Sequence, residues 1–368
     1  MLKIRIDNTG YEVPEGTTIL DAAGKAGKEI PTLCHKDGVT HYTSCMVCMI
    51  KDRHTDKFLP SCSALVQDGM DIVTSGDEVT EIRKKAVALL LTEHRAECEA
   101  PCRIVCPAGL NIPLMNRHLS AGDMKAASEL SRSELTAEEF RCISCPGYCE
   151  NACRRKKTDT PVSIRNIQLF IYSSISGDKT IQRPDKQQSE KTEKSTKAID
   201  PGHVRNQFSS RTGKLEEAEM LEWLKECEPG IPRHREIPSF DMAGEEAKSC
   251  MHCDCRAAGD CRLRDLAKHM AVKDPRGKIT GSPITKKINH QTGLIFESAK
   301  CVKCALCVRI CEDSTDDPAL CFLHRGFVTV LSEPVTESFE NVLRKQADAV
   351  IKICPTGALS WFGKAREA

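Results

Sequence analysis

The placement of cysteine constrains this chain more than any other feature. Of 368 residues 22 are cysteines, and most stand two or three residues from another, in four separate groups. Disulfides need an oxidising compartment. The amino terminus, Met1-Leu2-Lys3-Ile4-Arg5-Ile6, instead alternates apolar and polar residues as a strand does and carries no signal-peptide apolar core. Such close spacing suits several thiolates closing on one metal centre. Zinc is the competing occupant, because Cys-x2-Cys pairs also build zinc sites.

Each group has its own spacing. The first, Cys34, Cys45, Cys48 and Cys62, reads Cys-x10-Cys-x2-Cys-x13-Cys. Three of its ligands share one loop and the fourth arrives from the far side of the domain, an arrangement that plant-type 2Fe–2S ferredoxins reach with different spacing. Residues 1–76 around it read as a β-grasp domain. Leu2, Ile4 and Ile6 alternate, Asn8-Thr9-Gly10 is the expected turn, Tyr11 to Val13 returns, and Thr18-x-x-Asp21 starts a helix. The last group, Cys301-x2-Cys304-x2-Cys307 with a distant Cys354-Pro355, curls around three corners of a 4Fe–4S cubane and closes the fourth. A two-cluster ferredoxin would need a second complete run, so one cluster is expected there. The third group, Cys250-x2-Cys253-x-Cys255-x5-Cys261, offers four thiolates, with His252 an alternative to one of them.

The second group is spread over residues 77–176. A helix is expected over 77–93 from the spacing of Val79, Ile82, Ala86, Leu89 and Leu90. Another is expected around 121–131, and a third from Pro161 with the stripe Ile164, Ile167, Ile171 and Ile175. Residues 177–245 read as a polar linker. The run Gln187 to Lys194 has disorder-like composition, a short helix is expected from Lys214 to Lys225, and Cys227 stands alone as an ordinary thiol. Residues 246–298 form a Cys-rich segment, and 299–368 a compact end piece. The fold class expected is α+β: a β-grasp 2Fe–2S ferredoxin domain, an α-helical domain around the second cysteine group, which the resemblance given next makes a two-cluster 4Fe–4S domain, and a C-terminal ferredoxin-like 4Fe–4S domain.

Several of these strings resemble known families. "PTLCHKDG", "SCMVCMI" and "LPSCSALV" resemble the 2Fe–2S domain of the large electron-input subunit of respiratory complex I and of NAD-linked hydrogenases. "CVKCALCVRIC" with "KICPTGALSW" resembles the same family, a likeness that leaves Cys311 and Cys321 without ligand roles. "CDCRAAGDCRLRDLA" resembles the second half of the complex I motif that holds a cluster by one His and three Cys, although the expected His-x3-Cys does not directly precede it. "HRAECEAPCRIVCPAGLNIP" and "FRCISCPGYCENACRRKKTDTPVSIRNIQ" resemble the N-terminal two-cluster domain of glutamate synthase small subunit and dihydropyrimidine dehydrogenase. This last resemblance implies interleaved ligands. Cys106, Cys145 and Cys149 would hold one 4Fe–4S cluster with an oxygen of Gln168, and Cys98, Cys102 and Cys153 the other. The family has a further upstream cysteine that this chain lacks. Its place falls to His94, which precedes Cys98 with His-x3-Cys spacing, or to Cys142. The third group, Cys250, Cys253, Cys255 and Cys261, would then hold its own cluster. One 2Fe–2S and four 4Fe–4S clusters sum to about 18 iron atoms.

Charge and missing motifs narrow the function. The 53 basic and 52 acidic residues balance, and aromatics are 4%, which speaks against a nucleic-acid surface or a zinc-stapled nucleic-acid module. No run reaches the ~18 apolar residues of a membrane span. No Gly-x-Gly-x-x-Gly follows a strand and no phosphate-binding Gly-x4-Gly-Lys-Ser/Thr loop appears, so neither a nucleotide nor a substrate site is expected. The resemblances imply a cytoplasmic electron-transfer subunit of an NAD(P)H-linked, electron-bifurcating or simpler complex. It would relay electrons between a flavin-containing NADH-oxidising subunit and a catalytic partner of formate dehydrogenase, hydrogenase or bifurcating flavoenzyme type. A self-sufficient enzyme with an open cluster site is the alternative.

Overall fold

The computed structural model describes residues 1–39, 43–94, 98–106, 108–134, 142, 145–157, 159–176, 237, 239–257, 260–272, 286–312, 319–325 and 328–362. The expected helix at 214–225, the run 187–194 and Cys227 lie outside these.

The amino-terminal unit is a five-stranded sheet of order β2-β1-β5-β3-β4, with β1 Leu2–Ile6, β2 Thr9–Val13, β3 Met49–Asp52, β4 Lys57–Pro60 and β5 Asp71–Val73. β1 pairs antiparallel with β2 and parallel with β5. The hairpin turn is Asp7-Asn8, one residue earlier than the sequence suggests. Both residues have positive φ (46° and 73°), the backbone of a two-residue hairpin turn, which Asp and Asn tolerate. Helix α1, Ile19–Lys25, begins where expected, since Thr18 Oγ1 accepts the Asp21 N–H at 3.1 Å and donates to the Asp21 carboxylate at 2.7 Å. Ile19 of α1 shares one core with Ile4, Ile6, Ile50 and Ile72 of the sheet.

Helix α2, Asp77–Glu93, leads out of this unit. Its buried stripe is Val79, Arg83, Ala86, Val87, Leu90 and Leu91, while Leu89 is 68% exposed. The expected stripe was therefore rotated, and the observed one continues to His94 at the C-cap. A helical unit follows, with α3 Pro101–Ile104, α4 Ile112–Ser120, α5 Met124–Glu134, α6 Tyr148–Asn151 and α7 Ile164–Ser176. Helix α7 begins at Ile164 rather than Pro161. Ser163 accepts the first helical bond, from Ile167, and its own N–H is taken by Glu246 Oε1 at 2.7 Å.

The chain returns at α8, Phe240–Lys248, which starts inside the stretch read as linker. Ala243 and Ala247 of α8 are buried in one core with Ile112, Met115 and Leu119 of α4. Gly244 permits the close crossing, since a Cβ there would stand 3.3 Å from the Leu119 carbonyl oxygen. Helix α9, Arg262–His269, then packs with Val87, Leu90 and Leu91 of α2. The end piece is a three-stranded sheet of order β10-β7-β6, from β6 Lys286–Asn289, β7 Leu294–Glu297 and β10 Leu359–Trp361. It thus draws two strands from before residue 299. Helices α10 Leu306–Arg309 and α11 Ala347–Ile353 pack on it, beside the small pair β8 Cys321–Leu323 and β9 Val330–Ser332. Among the described residues no helix is long and apolar enough to cross a membrane.

Candidate metal centres

Cys34, Cys45, Cys48 and Cys62 are all buried at one end of the β-grasp sheet. Left-handed backbone at Met46 (φ 53°) curls the loop between Cys45 and Cys48, and the Val47 N–H points at Cys45 Sγ, 3.5 Å away. Ser61, next to Cys62, is tied to this loop by donating to the Cys48 carbonyl at 2.8 Å. The thiols meet in pairs. The Cys45 S–H donated to Cys34 draws the Cys34 thiol down to about 5, and the Cys62 S–H likewise draws Cys48 down to about 6, while both donors are pushed up.

Cys301, Cys304, Cys307 and Cys354 line one pocket whose other walls include Phe296, Phe322, Leu331 and Leu359. Left-handed backbone at Lys303 and Ala305 (φ 52° and 67°) wraps the three-cysteine loop, and the Lys303 N–H points at Cys301 Sγ at 3.4 Å. Cys354 ends α11, and Thr356 behind it donates to the Lys300 carbonyl at 2.7 Å. Four sulfurs around an apolar-walled pocket fit a cluster with four thiolate corners. Cys311 is buried in the core of this unit and Cys321 lies on β8.

Cys106, Cys142, Cys145 and Cys149 form a third gathering, each near enough to influence another's titration; burial pushes Cys142 up to about 12. Gln168 is buried on α7. Its Nε2 donates to Met115 Sδ and, at 3.4 Å, to Ser131 Oγ, and its Oε1 is buried without a hydrogen-bond partner.

The remaining ligand candidates are grouped otherwise than their order in the chain suggests. Cys102, Cys153, Cys250 and Cys253 line a single pocket. Cys98 stands apart from it, with Cys255 and Cys261 as its thiol neighbours, and its carbonyl accepts the Cys255 N–H at 3.1 Å. His94 is 6% exposed. Burial, and Lys300 next, hold its pKa down to about 4, so the imidazole is neutral. His94 and Cys255 both face the buried Lys300–Glu297 pair. His252 is not on the wall of that pocket. Among the described residues no three His, Cys, Asp or Glu side chains gather as ligands of a single ion.

Three buried features escaped sequence reading. Asn116 of α4 is fully buried on the wall of the same pocket and directs its amide at the Cys250 sulfur. Arg117 reaches Asp254 through two bonds of 2.7 and 2.6 Å, tying α4 to the Cys253–Cys255 loop. Arg256 and Lys300 share Glu297 in the interior. Arg117–Asp254 and Arg256–Glu297 are long-range pairings that no local pattern announces.

The class these features define is a modular iron–sulfur protein of α+β fold, one 2Fe–2S domain joined to 4Fe–4S domains. Residues 1–77 match the 2Fe-2S iron-sulfur cluster binding domain family. Residues 74–179 match dihydropyrimidine dehydrogenase domain II, 4Fe-4S cluster, and residues 294–360 the ferredoxin-like domain of NADH-quinone oxidoreductase subunit 3. The chain is 31% identical over 154 residues to the NADPH-Fe(3+) oxidoreductase subunit alpha of Geobacter sulfurreducens, covering 39% of this chain and 18% of that protein. It is 30% identical over 188 residues to an NADH-quinone oxidoreductase subunit of Rhizobium meliloti, 48% of this chain and 21% of the relative. It is 29% identical over 168 residues to the NADP-reducing hydrogenase subunit HndD of Solidesulfovibrio fructosivorans, 43% and 28% respectively. The chain thus spans less than a third of each of these relatives.

Proposed function

We propose that this chain relays electrons within a cytoplasmic NAD(P)H-linked oxidoreductase complex, between a flavin-containing NADH-oxidising subunit and a catalytic partner of formate dehydrogenase, hydrogenase or bifurcating flavoenzyme type. The observation that carries this reading is the adjacency of the cysteine sets. Cys34 is a charge neighbour of Cys304 and packs in one core with it and Cys261. Cys261 Sγ lies 4.0 Å from the carbonyl of Pro355, next to Cys354. Cys253 and Cys255 are separated only by Asp254, and Cys102 is a charge neighbour of Cys149. The sets therefore follow one another through the molecule. The names of the relatives, which pair NADH or NADPH with quinone, ferric iron or hydrogenase, support the same reading.

Iron–sulfur clusters, when bound, supply one-electron redox chemistry. The chain's part is to hold them in a row, keep water from them and set the local charge. In this reading Cys34, Cys45, Cys48 and Cys62 hold the 2Fe–2S cluster, and Cys301, Cys304, Cys307 and Cys354 the last 4Fe–4S. Cys106, Cys145 and Cys149 hold another with the orphaned Oε1 of Gln168, and Cys142 stands beside them. The test is anaerobic purification with iron counting, then NADH reduction with and without a flavin subunit. About 18 iron atoms per chain, and reduction only with the flavin subunit, support the relay. Stoichiometric zinc with little iron, or calorimetric NADH binding by the lone chain, overturns it. Gln168→Ala should lose about four irons while Cys142→Ala keeps them; the reverse makes the site all-cysteine.

A further inference from the structure

We infer that one 4Fe–4S site is assembled across the 177–236 stretch, from Cys102 and Cys153 on one side of it and Cys250 and Cys253 on the other. The inference rests on the relay reading above and changes which residues share a cluster. Spacing groups Cys250 and Cys253 with Cys255 and Cys261, and the family resemblance places Cys153 with Cys98.

Two observations carry it. The four sulfurs wall one pocket, and neither Cys98 nor Cys255 belongs to that wall. Asn116, fully buried on the same wall, directs its amide at the Cys250 sulfur. Sulfurs bound to a cluster accept N–H bonds.

The scaffold brings the halves together firmly. Helix α8 is packed in the core of α4 up to Cys250. Arg155, two residues past Cys153, donates to the Ser249 carbonyl, one residue before Cys250. Arg117 holds Asp254 just after Cys253. The same partition leaves His94, Cys98, Cys255 and Cys261 as a second set, which the Cys255 N–H bond to the Cys98 carbonyl draws together.

The test is iron counting and low-temperature electron paramagnetic resonance on the full chain, purified anaerobically. Cys102→Ala, Cys250→Ala and the double variant should each lose the same single signal and about four irons. Cys250→Ala/Cys261→Ala should lose two signals and about eight irons. The opposite pattern, an additive loss for Cys102 with Cys250 and a shared loss for Cys250 with Cys261, overturns the partition and leaves the relay intact. Absence of iron from the unaltered chain would instead sink the relay. Should a variant fail to fold, the unaltered holoprotein decides. During slow chelation, Cys102, Cys153, Cys250 and Cys253 should become alkylated as one kinetic set, distinct from Cys98, Cys255 and Cys261. Co-release of Cys250 with Cys261 overturns the proposal.

Discussion

Single atoms decide several of these sites. Gly357 has no Cβ, and one added there would overlap the Cys255 sulfur and press on Ala257. Its φ is ordinary, so the requirement is space alone. Gly357→Ala should displace Cys255 and lower iron content by about four atoms, with the cluster ringed by Cys301 and Cys354 retained; resonance spectra of the reduced protein separate the two. Asn116 tests a subtler effect. An N–H bond to a cluster sulfur raises the reduction potential, so Asn116→Leu should lower one potential and keep the iron count, as read by a redox titration. Unchanged potentials would make Asn116 mere packing. Asp7 shows how charge enters the β-grasp unit. Burial alone would raise its pKa, but bonds from the Thr74 hydroxyl and N–H and the Lys28 ammonium at 3.4 Å prevail and hold it below the usual carboxylate value. Its stabilisation is complete above the unfolded-state pKa, about 3.9, and is lost as pH falls through the lower folded value. Asp7→Asn, which keeps the left-handed turn, should cost on the order of 1 kcal/mol at neutral pH. That difference should vanish in urea titrations well below pH 4.

Helices and loops place these atoms, and they were legible to different degrees. Thr18 with Asp21 announced α1 because a cap is a local bargain between neighbours. The turn was read one residue late, because Asn8-Thr9-Gly10 contains the turn's usual residue types while the left-handed pair is Asp7-Asn8. In α2 three of the expected positions, Val79, Ala86 and Leu90, are buried, but the rest of the stripe lies on the other flank, at Arg83, Val87 and Leu91. Leu89 points to solvent and the half-polar Arg83 turns inward, where its Nε meets the Met49 carbonyl at 2.9 Å. Only that rotation explains how α2 delivers His94 to a buried place. The Arg117–Asp254 fork between α4 and the cysteine loop is a pairing no sequence window contains. Arg117→Met should strand a buried carboxylate and destabilise the helical unit by about 3–5 kcal/mol. Urea unfolding of the iron-loaded chain measures this, and Arg117→Met/Asp254→Asn should recover much of the loss. An unaffected single variant would show that the fork is idle.

Across the whole molecule, the four cysteine groups and three domain types stood in the sequence, because thiolate spacing within a loop is local chemistry. The sharing of ligands between groups did not, because nothing along the chain between Cys153 and Cys250 says that α8 will return to α4. The balanced surface charge also left no trace of the interior, where Arg117, Asp254, Arg256, Glu297 and Lys300 are all buried. Iron removal by chelation should lower the thermal unfolding midpoint, since metal binding by buried thiolates is folding free energy here, and reconstitution should restore it. The interrupted layout also dictates an order of manufacture. A chain leaves the ribosome amino end first. Residues 1–77 emerge with all four thiols of their own site and have what they need to fold and take iron at once. Cys98 to Cys153 emerge next, but their counterparts from Cys250 to Cys261 have not yet been translated. Through that interval the nascent polypeptide exposes unfinished half-sites, which oxygen or a stray metal can capture. Slow translation through 177–236 would lengthen the hazard, and the yield of fully loaded protein should fall with it.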